Sequence, residues 1–437
     1  MPITRARTQP IVFAGARVAR SAYNARYRTL CVQGQHVESV AMTGAASPDL
    51  QPSNSISIDL SGYLVLPGLI NAHDHLDFSL FPRLGRGPHR SWREWGAQIH
   101  RSYRAIIDET LRVPRDVRFW WGGIRNLLCG VTTVSHHNPS TPEILNPEFP
   151  VDVPHEYGWA HSLADAERLG HRFCQTPLEW PFILHLAEGT DEESHNEFDV
   201  LDRMLPLDGR ILMVHCVALT STHWDRAERI GAGVIWCPSS NLYTLGKTLR
   251  PEQVKTFPHL ALGSDSPLSG VGDLLDEVRL AHDEMGIPAP LLYECVTSRP
   301  ARLLRLRSGQ GALQPRCKAD LIVVRDRQLT PAQTLVQLSW SDVELVMLAG
   351  RIVLASPVLA AAIPDQLKHG MQTLIINDVE RRVRAPIADL WMHAFAALGR
   401  APLLCGRLLS VGRVPASFWR PFADVTALRH DCHPNVI

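Results

Sequence analysis

Histidine, glutamate and aspartate residues end several apolar stretches of this chain, where they could bind a metal ion or transfer protons. Five such stretches are GLINAHDHL (68–76), FILHLAEG (182–189), ILMVHCVAL (211–219), VIWCPSSNL (234–242) and LALGSDSPL (260–268). Runs of Ile, Leu and Val of this length are typical of buried parallel strands. The carboxyl ends of parallel barrel strands meet at one mouth. We therefore expect a metal site there, with the ligands His73, His75, His185 and Asp265.

The two histidines of the first stretch are spaced as a pair of metal ligands would be. His73 and His75 are two residues apart, so both side chains leave an extended strand on the same side, while Asp74 points the other way. Two imidazoles with one direction suit a borderline metal such as zinc. An isolated HxH motif of this kind also fits ordinary packing. The metal interpretation therefore depends on the candidate ligands at the other strand ends.

His185 and Asp265 would complete an open coordination sphere. Three nitrogen ligands and a weak carboxylate leave a position for water. Such a water acidifies from a pKa of about 15.7 toward about 7, and Asp265 can accept its proton. The SDSP segment at 264–267 also fits a turn in which Asp265 caps a helix, and the two roles are compatible.

These motifs resemble the amidohydrolase superfamily, specifically its single-metal branch of cytosine-deaminase and s-triazine-hydrolase relatives. The resemblance covers roughly residues 10 to 355. The matching segments are HxH at 73–75, HxxE at 185–188, HC at 215–216, CPSSN at 237–241, GSDS at 263–266, PGL at 67–69, GALQPRCKADLIVV at 311–324 and VELVMLAGRIV at 343–353. Two-metal members carry a bridging lysine on a middle strand, and this chain has no Lys before residue 247, which favours one metal, zinc before iron.

The resemblance also implies catalytic roles for Glu188, His215 and Asp265. Glu188 would shuttle the proton of the attacking water to a ring nitrogen or leaving amine, and His215 would bond the water or the developing oxyanion. The implied enzyme is a hydrolase that attacks a non-peptide C–N bond of a small heterocycle with a metal-bound hydroxide. Alternatives are a cyclic amide or halide hydrolase, a lyase or isomerase on the same site, and a non-enzymatic barrel scaffold.

Substrate contacts are less well marked in the sequence. Asn241 either contacts substrate or ends a strand through an Asx turn. His137, Trp92 and Arg83 follow the first two predicted strands and could line the mouth, with Arg83 facing an anionic group. The alternative account is core packing for Trp92 and solvation for Arg83, and we favour it for both.

The order of the elements predicts an α/β protein with a (β/α) barrel. Strands and helices alternate through the middle of the chain, with helices over 92–107 and 117–128 and a strand at 132–138. Residues 139–181 hold one clear strand candidate, near 157–163, where relatives fit two strands. Either a barrel strand is degenerate here or the barrel is incomplete.

Both ends of the chain are β-rich, and the resemblance implies that they pair into a small β-sandwich. The expected domains are residues 1–66 with 312–365 for the sandwich, 67–311 for the barrel, and 366–437 for a C-terminal helical extension. An amphipathic helix is predicted over 378–398, either packed on the barrel or serving as a dimer arm or lid.

Composition points to a small-molecule substrate rather than a nucleic acid or a membrane. Lys plus Arg equals Asp plus Glu at 44 each, and the pI is about 7.3. No apolar run has the length of a signal peptide or membrane span. The nine cysteines are scattered and odd in number, which favours free thiols and a cytoplasmic location. Homo-oligomerisation is left open.

Overall fold

A computed structural model describes residues 9–42 and 54–412, and both ends of this range contribute strands to one mixed sheet. Its N-terminal strands are β1 (Ile11–Ala14), β2 (Arg17–Ala19), β3 (Ala25–Gln33), β4 (His36–Met42), β5 (Ile56–Asp59) and β6 (Tyr63–Pro67). The barrel strands β7–β13 come next in the chain. The C-terminal strands of the mixed sheet are β14 (Leu321–Arg325), β15 (Val343–Leu348), β16 (Arg351–Ala355), β17 (Met371–Ile376), β18 (Val379–Arg384), β19 (Leu403–Leu404) and β20 (Arg407–Val411).

The two ends are joined by the antiparallel pairing of β6 with β14, from Tyr63 opposite Arg325 to Pro67 opposite Leu321. The inward-facing side chains of this sheet form an apolar core of their own beside the barrel. The hairpin between β15 and β16 turns at Ala349 and Gly350, both with positive φ, as the mirror-image hairpin turns require. Gly350 also lies too close to the Gly34 carbonyl for any side chain, since a Cβ would be 1.8 Å from that oxygen.

The middle of the chain forms the barrel, which confirms the predicted α/β fold class. Its strands are β7 (Leu69–Asp74), β8 (Val131–His136), β9 (Gly158–Trp159), β10 (Phe182–Leu186), β11 (Ile211–His215), β12 (Gly233–Trp236) and β13 (Leu260–Leu262). β7 and β8 pair in parallel, and β9 to β13 form a five-stranded parallel sheet in chain order. Near-continuous apolar sequences form these strands because their buried residues face either the barrel interior or the surrounding helices.

Within the described residues, eleven helices lie between or after the barrel strands, and four more lie between the C-terminal strands of the mixed sheet. They are α1 (Trp92–Ser102), α2 (Arg104–Leu111), α3 (Arg115–Leu128), α4 (Ala166–Gln175), α5 (Glu192–Met204), α6 (Ser221–Ile230), α7 (Pro238–Leu245), α8 (Pro251–Thr256), α9 (Leu274–Asp283), α10 (Ala289–Cys295), α11 (Ser298–Leu303), α12 (Pro331–Leu335), α13 (Pro357–Ala362), α14 (Asp365–Lys368) and α15 (Ile387–Leu398). Within the described ranges, none of them combines the length and apolar character needed to cross a bilayer.

The third strand position of the barrel is degenerate. A single parallel bridge joins Thr133 of β8 to Asp152. There the Val134 amide donates to the Asp152 carbonyl at 2.9 Å, and the Asp152 amide donates to the Thr132 carbonyl at 2.8 Å. The next position is the two-residue strand β9, which pairs with Phe182 and Ile183 of β10. A degenerate strand, and not a missing barrel segment, therefore accounts for the short sequence between β8 and β10.

The helix predicted over 92–107 is wrong in its continuity, because the structure divides it into α1 and α2. Tyr103, at φ −124° and ψ 19°, leaves helical geometry and ends α1. Its neighbours remain on one apolar face, so the sequence period continues across the break. The helix predicted over 117–128 is present and begins slightly earlier, at Arg115.

The helix predicted over 378–398 is also wrong at its start, since residues 379–384 form strand β18. Asn377 and Asp378 both have positive φ and make the turn of a hairpin that pairs β17 with β18. Arg381 and Val383 are buried on alternate positions of this strand. The helical part, α15, begins only at Ile387. Residues 366–412 therefore extend the mixed sheet as well as adding a helix, while 413–437 lie outside the described residues.

Candidate metal centre

The imidazoles of His73 and His185 face each other with their Nε2 atoms 3.2 Å apart. His185 Nδ1 lies 2.8 Å from the carbonyl of His161, to which it can only donate, so its Nε2 carries a lone pair. His137 Nε2 donates in the same way to the Ala160 carbonyl, at 2.9 Å. The Nδ1 of His137 is then an acceptor for His73 Nδ1, at 3.3 Å, and His73 Nε2 also carries a lone pair. Two lone pairs that face each other call for a cation between them.

His75 and Asp265 lie beside the Nε2 atoms of His73 and His185. One ring nitrogen from each of His73, His75 and His185 falls within 4.8 Å of the others. The carboxylate Oδ1 of Asp265 is 3.5 Å from His75 Nε2 and 3.8 Å from His73 Nε2. His75 Nδ1 is buried without a hydrogen-bond partner in the structure. Three imidazoles and one carboxylate of this kind fit a divalent transition metal.

The backbone at the strand ends turns the side chains toward this centre. Ala187, His215, Cys216 and Asp265 all have positive φ, between 54° and 74°, although none is glycine. Left-handed backbone at ordinary residues is costly and is retained where the surrounding structure requires it. Gly263 serves close approach instead, because a Cβ there would lie 2.8 Å from His73 Cβ and 3.0 Å from its backbone N and O. The glycine of the GSDS motif thus lets the last strand reach the first.

His73, His185 and His137 are buried, and burial lowers their pKa values. Burial, followed by repulsion from neighbouring imidazoles, holds the pKa of His73 and of His185 well below the usual range. Burial has the same effect on the pKa of His137. A neutral imidazole is the form that binds a metal, so the environment prepares these side chains for ligation.

Glu188 and His215 form a pair at the side of the centre. His215 Nε2 is 3.5 Å from a carboxyl oxygen of Glu188. The other nitrogen, His215 Nδ1, donates to Asn241 Oδ1 at 2.7 Å, and Asn241 Nδ2 donates to Thr248 Oγ1 at 3.2 Å. The amide orientation of Asn241 thereby sets the tautomer of His215 and leaves its Nε2 as an acceptor toward Glu188.

The two carboxyl groups of the site have opposite pKa shifts. Burial raises the pKa of Glu188 well above its ordinary value, and the charges of Asp265 and Glu197 raise it further. Burial would also raise the pKa of Asp265, but the neighbouring His75 and His215, together with hydrogen bonds from Ser240 and the Ser266 amide, outweigh it and the net pKa is lowered. Two carboxyl groups with diverging pKa values can act as a proton donor and a proton acceptor.

Several supporting residues were not predicted from the sequence. Ser240 donates to Asp265 Oδ2 at 2.6 Å, and Ser269 donates to the same oxygen at 3.3 Å. Glu197 accepts the Ala187 amide at 2.6 Å and the Arg93 guanidinium at 2.8 Å, which fixes the turn that carries Glu188. No local motif marks such partners, although the serine-rich CPSSN and GSDS segments offered a signal for hydroxyl donors.

The four predicted substrate contacts lie in different environments. Asn241 belongs to α7 and does not end a strand, since β12 stops at Trp236; its side chain is occupied by His215 and Thr248. His137 is buried behind His73 and stacks on His185, with ring centroids 4.4 Å apart.

The other two lie beside the mouth. The Trp92 amide donates to the Glu188 carbonyl at 3.2 Å, and its ring packs on His161. Arg83 donates to the Gly270 carbonyl at 3.1 Å and lies over the Tyr243 ring. The helix-cap alternative for Asp265 is not observed, because Asp265 accepts the Ser266 amide in a turn and the next helix, α9, is capped by Asp273.

A barrel whose strand ends converge on three buried histidines and two carboxyl groups has the architecture of a metal-dependent hydrolase. Comparison with known proteins agrees, because the Amidohydrolase family model matches residues 181–353, which contain His185, Glu188, His215 and Asp265. The resemblance to the amidohydrolase superfamily predicted from the sequence is thereby confirmed.

Two curated relatives share the same name. A 5-methylthioadenosine/S-adenosylhomocysteine deaminase of Moorella thermoacetica is 32% identical over 197 residues, which are 39% of this chain and 46% of the relative. The chain thus matches about half the length of that protein. A deaminase of the same name from Haloarcula marismortui is 26% identical over 337 residues, 64% of this chain and 77% of the relative.

A solved structure shows the same fold over most of the chain. It is an atrazine chlorohydrolase from Arthrobacter aurescens TC1 complexed with zinc and atraton, with a TM-score of 0.67 and 17% identity. The superposition covers 89% of this chain and all of that chain. At this identity the likeness concerns the fold alone.

Proposed function

We propose that this chain is a metal-dependent hydrolase that removes an amino group from a small heterocycle. The observation that carries the proposal is the 3.2 Å approach of the Nε2 lone pairs of His73 and His185, with Asp265 and Glu188 on either side. Lone pairs this close repel each other unless a cation lies between them. Support for the reaction comes from the deaminase names of the two curated relatives.

His73, His75, His185 and Asp265 would hold one divalent metal. Zinc fits these nitrogen and oxygen donors, and it is the ion named with the related atrazine chlorohydrolase structure. When bound, the ion supplies the Lewis acidity that makes water a nucleophile at neutral pH. Within the described part of the chain, His73, His75 and His185 are the one group of His, Cys, Asp or Glu residues close enough to hold an ion, and Asp265 lies beside them.

Asp265 is placed to accept the proton of the attacking water. Its Oδ2 already accepts from Ser240 and Ser269, so the carboxylate is fixed and its Oδ1 faces the histidines. Fixed orientation matters because a general base must lie within hydrogen-bond reach of the proton that it removes. The lowered pKa keeps Asp265 ionised and ready for this role.

Glu188 is placed to deliver a proton to the heterocycle or its departing amine. Its side chain is 12% exposed, while the His215 side chain beside it is 1% exposed, so Glu188 is the group open to substrate. His215, held by Asn241, can accept a hydrogen bond from Glu188 and keep its carboxyl aimed at the centre. Together they would support protonation of the leaving nitrogen.

The substrate class that we propose is a purine nucleoside or free purine with an exocyclic amine. Both curated relatives are named for adenine-containing molecules. Trp92, partly exposed and anchored at the Glu188 carbonyl, is placed to offer its ring face to a planar base. Arg83 remains a proposed contact for an anionic or polar substituent.

A screen for ammonia release tests this function. The purified protein, with zinc supplied, is incubated with adenosine, 5-methylthioadenosine, S-adenosylhomocysteine, cytosine, a pterin and atrazine, and ammonia is measured by a coupled dehydrogenase. We expect ammonia from an adenine nucleoside and product oxygen that comes from labelled water. Chloride release from atrazine alone would replace deamination by halide hydrolysis. A zinc-loaded protein inactive on every compound would overturn the proposal.

We also propose that the protein works in a reducing compartment, as in the cytoplasm. The cysteines in the described part of the chain are free thiols, and most of them are buried within apolar packing. Buried free thiols persist where disulfides do not form. Retention of full activity in millimolar reductant is the expected result.

A further inference from the structure

A buried arginine lies directly behind the proposed metal ligands. Arg125 of α3 is 2% exposed, and its guanidinium forms an ion pair with Asp74, the fully buried residue between His73 and His75. The same guanidinium donates to the Asp265 carbonyl at 3.2 Å and to the Gly272 carbonyl at 2.7 Å. One side chain therefore contacts the strand that carries two proposed ligands and the residue that supplies a fourth.

A second path of hydrogen bonds joins the same two strand ends. Asn71 Nδ2 lies 3.4 Å from Asp74 Oδ2 and donates to Ser264 Oγ at 2.7 Å. The Asn71 Oδ1 accepts the Ser264 amide at 3.0 Å, and Ser264 Oγ donates to the Asp265 carbonyl at 3.1 Å. With Arg125, these bonds close a ring from Asp74 to Asp265 and back. Asn126, next to Arg125 on α3, adds a bond to Asp74 at 2.6 Å.

This ring of hydrogen bonds lies between β7 and β13, where few main-chain hydrogen bonds close the barrel. In the described residues, β7 and β13 belong to different sheets and share no ladder. Their direct main-chain link at the site is the His73 carbonyl, which accepts the amides of Ser264 and Asp265, both at 3.1 Å. Side chains must therefore fix the separation between the His73–His75 strand and Asp265 more than ladder bonds do.

We propose that Arg125, through Asp74 and the Asp265 carbonyl, is a positioning residue that sets the spacing of the metal ligands on the first and last barrel strands. The inference rests on the proposed function of the metal centre. Arg125 touches neither substrate nor metal; it acts on the main chain that carries His73, His75 and Asp265. The planar guanidinium is essential, because a single ammonium cannot reach the carboxylate and both carbonyls together.

Zinc affinity of the folded protein is the readout. Competition with a chromophoric chelator gives the zinc Kd of wild type, Arg125→Lys, Asp74→Asn and a control, Arg210→Lys. The control arginine is 7% exposed and bonds the Thr176 carbonyl, away from the residues of the metal centre. We expect the first two variants to bind zinc 10–100-fold more weakly, the usual loss when support behind a ligand is removed. The control should lose thermal stability yet keep the wild-type zinc Kd.

A parallel measurement separates geometry from stability. The visible spectrum of the cobalt-substituted protein reports the arrangement of the ligands, and it should change in Arg125→Lys and not in Arg210→Lys. Arg125→Lys and Asp74→Asn that bind zinc as wild type does would overturn this inference and leave the proposed function intact. Wild type that binds no zinc would overturn both. Should Arg125→Lys fail to fold, Asp74→Asn, which is nearly the same size, decides the matter alone.

Discussion

Two parts of the barrel wall hold their residues in different ways. In the regular arc, defined as residues 182–262 with strands β10 to β13, each strand is fixed by a parallel ladder to the next. In the irregular arc, residues 137–181, the wall consists of the bridge at Asp152 and the two-residue strand β9. There the positions are held by side chains that bond main-chain carbonyls, such as Tyr157 to His136 and His137 to Ala160.

The two arcs contribute different groups to the site. His185, Glu188 and His215 extend from or follow strands of the regular arc, where parallel ladders fix the backbone. The irregular arc supplies acceptors, namely the carbonyls of Ala160 and His161, that set the tautomers of His137 and His185. Glu188 and His215 thus come from the regular arc, and the irregular arc provides carbonyls that orient His137 and His185.

The largest effect is expected in the regular arc, from Glu188→Gln. The amide keeps the shape of the side chain but cannot deliver the proton, so turnover should fall 10²–10⁴-fold with the metal retained. Glu156→Gln, at an exposed carboxylate in the irregular arc, is the matched control and should leave turnover unchanged. Steady-state kinetics with metal analysis measures both. Equal turnover in the two variants would remove the proposed division between the arcs.

The next largest effect is the loss in the free energy of unfolding when a buried valine is replaced by alanine in each arc. Val214→Ala lies in β11 between two paired strands, where neighbours cannot collapse, and should lower the free energy of unfolding by about 2–3 kcal/mol. Val153→Ala follows the single bridge and should cost about 1 kcal/mol, because its surroundings can relax. Both residues are buried. Urea denaturation measures the difference, and equal losses would show that the irregular arc is packed as rigidly as the regular one.

A pH effect is expected at Glu277 of α9, which holds α7 at the end of the regular arc. Burial raises its pKa to about 8, although the Ser239 amide and hydroxyl oppose this and Asp276 and Asp265 add to it. The folded state therefore keeps a proton that the unfolded chain, with a pKa near 4.5, releases. Stability from this group is complete below pH 4.5 and is lost as the pH rises toward 8.

Glu277→Gln, which mimics the protonated side chain, should remove that dependence. The unfolding free energy of wild type relative to the variant should fall between pH 5.5 and 7.5, by at most about 1.4 kcal/mol per pH unit. Denaturation curves at three pH values provide the comparison. Parallel pH profiles for the two proteins would contradict the raised pKa.

The smallest effect is expected from a single side-chain bond of the irregular arc. Tyr157 donates to the His136 carbonyl at 2.5 Å, and Tyr157→Phe removes that bond at a cost of about 0.5–1.5 kcal/mol. Tyr23→Phe, at a site 68% exposed, is the control and should cost nothing measurable. Thermal denaturation measures both. A Tyr157→Phe loss no greater than that of the control would mean that other contacts hold this arc.

The sequence predicted the regular arc better than the irregular one for a physical reason. Each strand of the regular arc lies in an apolar run that is followed by polar residues, so its boundaries are encoded locally. The bridge at Asp152 and the strand β9 are too short to carry a period, and their pairing depends on β8 and β10. The role of Arg125 could likewise not be predicted from the sequence, since its partners Asp74 and Asp265 lie 51 and 140 positions away along the chain.

The C-terminal hairpin shows how the spacing of apolar residues can favour the wrong secondary structure. Val379 and Val383 are four apart, which suits a helix as well as alternate positions of a strand. The Asn377–Asp378 pair was the better signal, because asparagine and aspartate tolerate the positive φ of a tight hairpin turn. The turn-forming residues therefore indicate the secondary structure here better than the spacing of the valines does.

Metal content per chain tests the central claim most directly. Protein purified without chelators is analysed for zinc and iron, as wild type, His73→Ala and the control His195→Ala, whose histidine lies exposed on α5. The account predicts about one metal ion, chiefly zinc, in wild type and control, and none in His73→Ala. One equivalent of metal retained in His73→Ala, or none in wild type even after reconstitution, would contradict it.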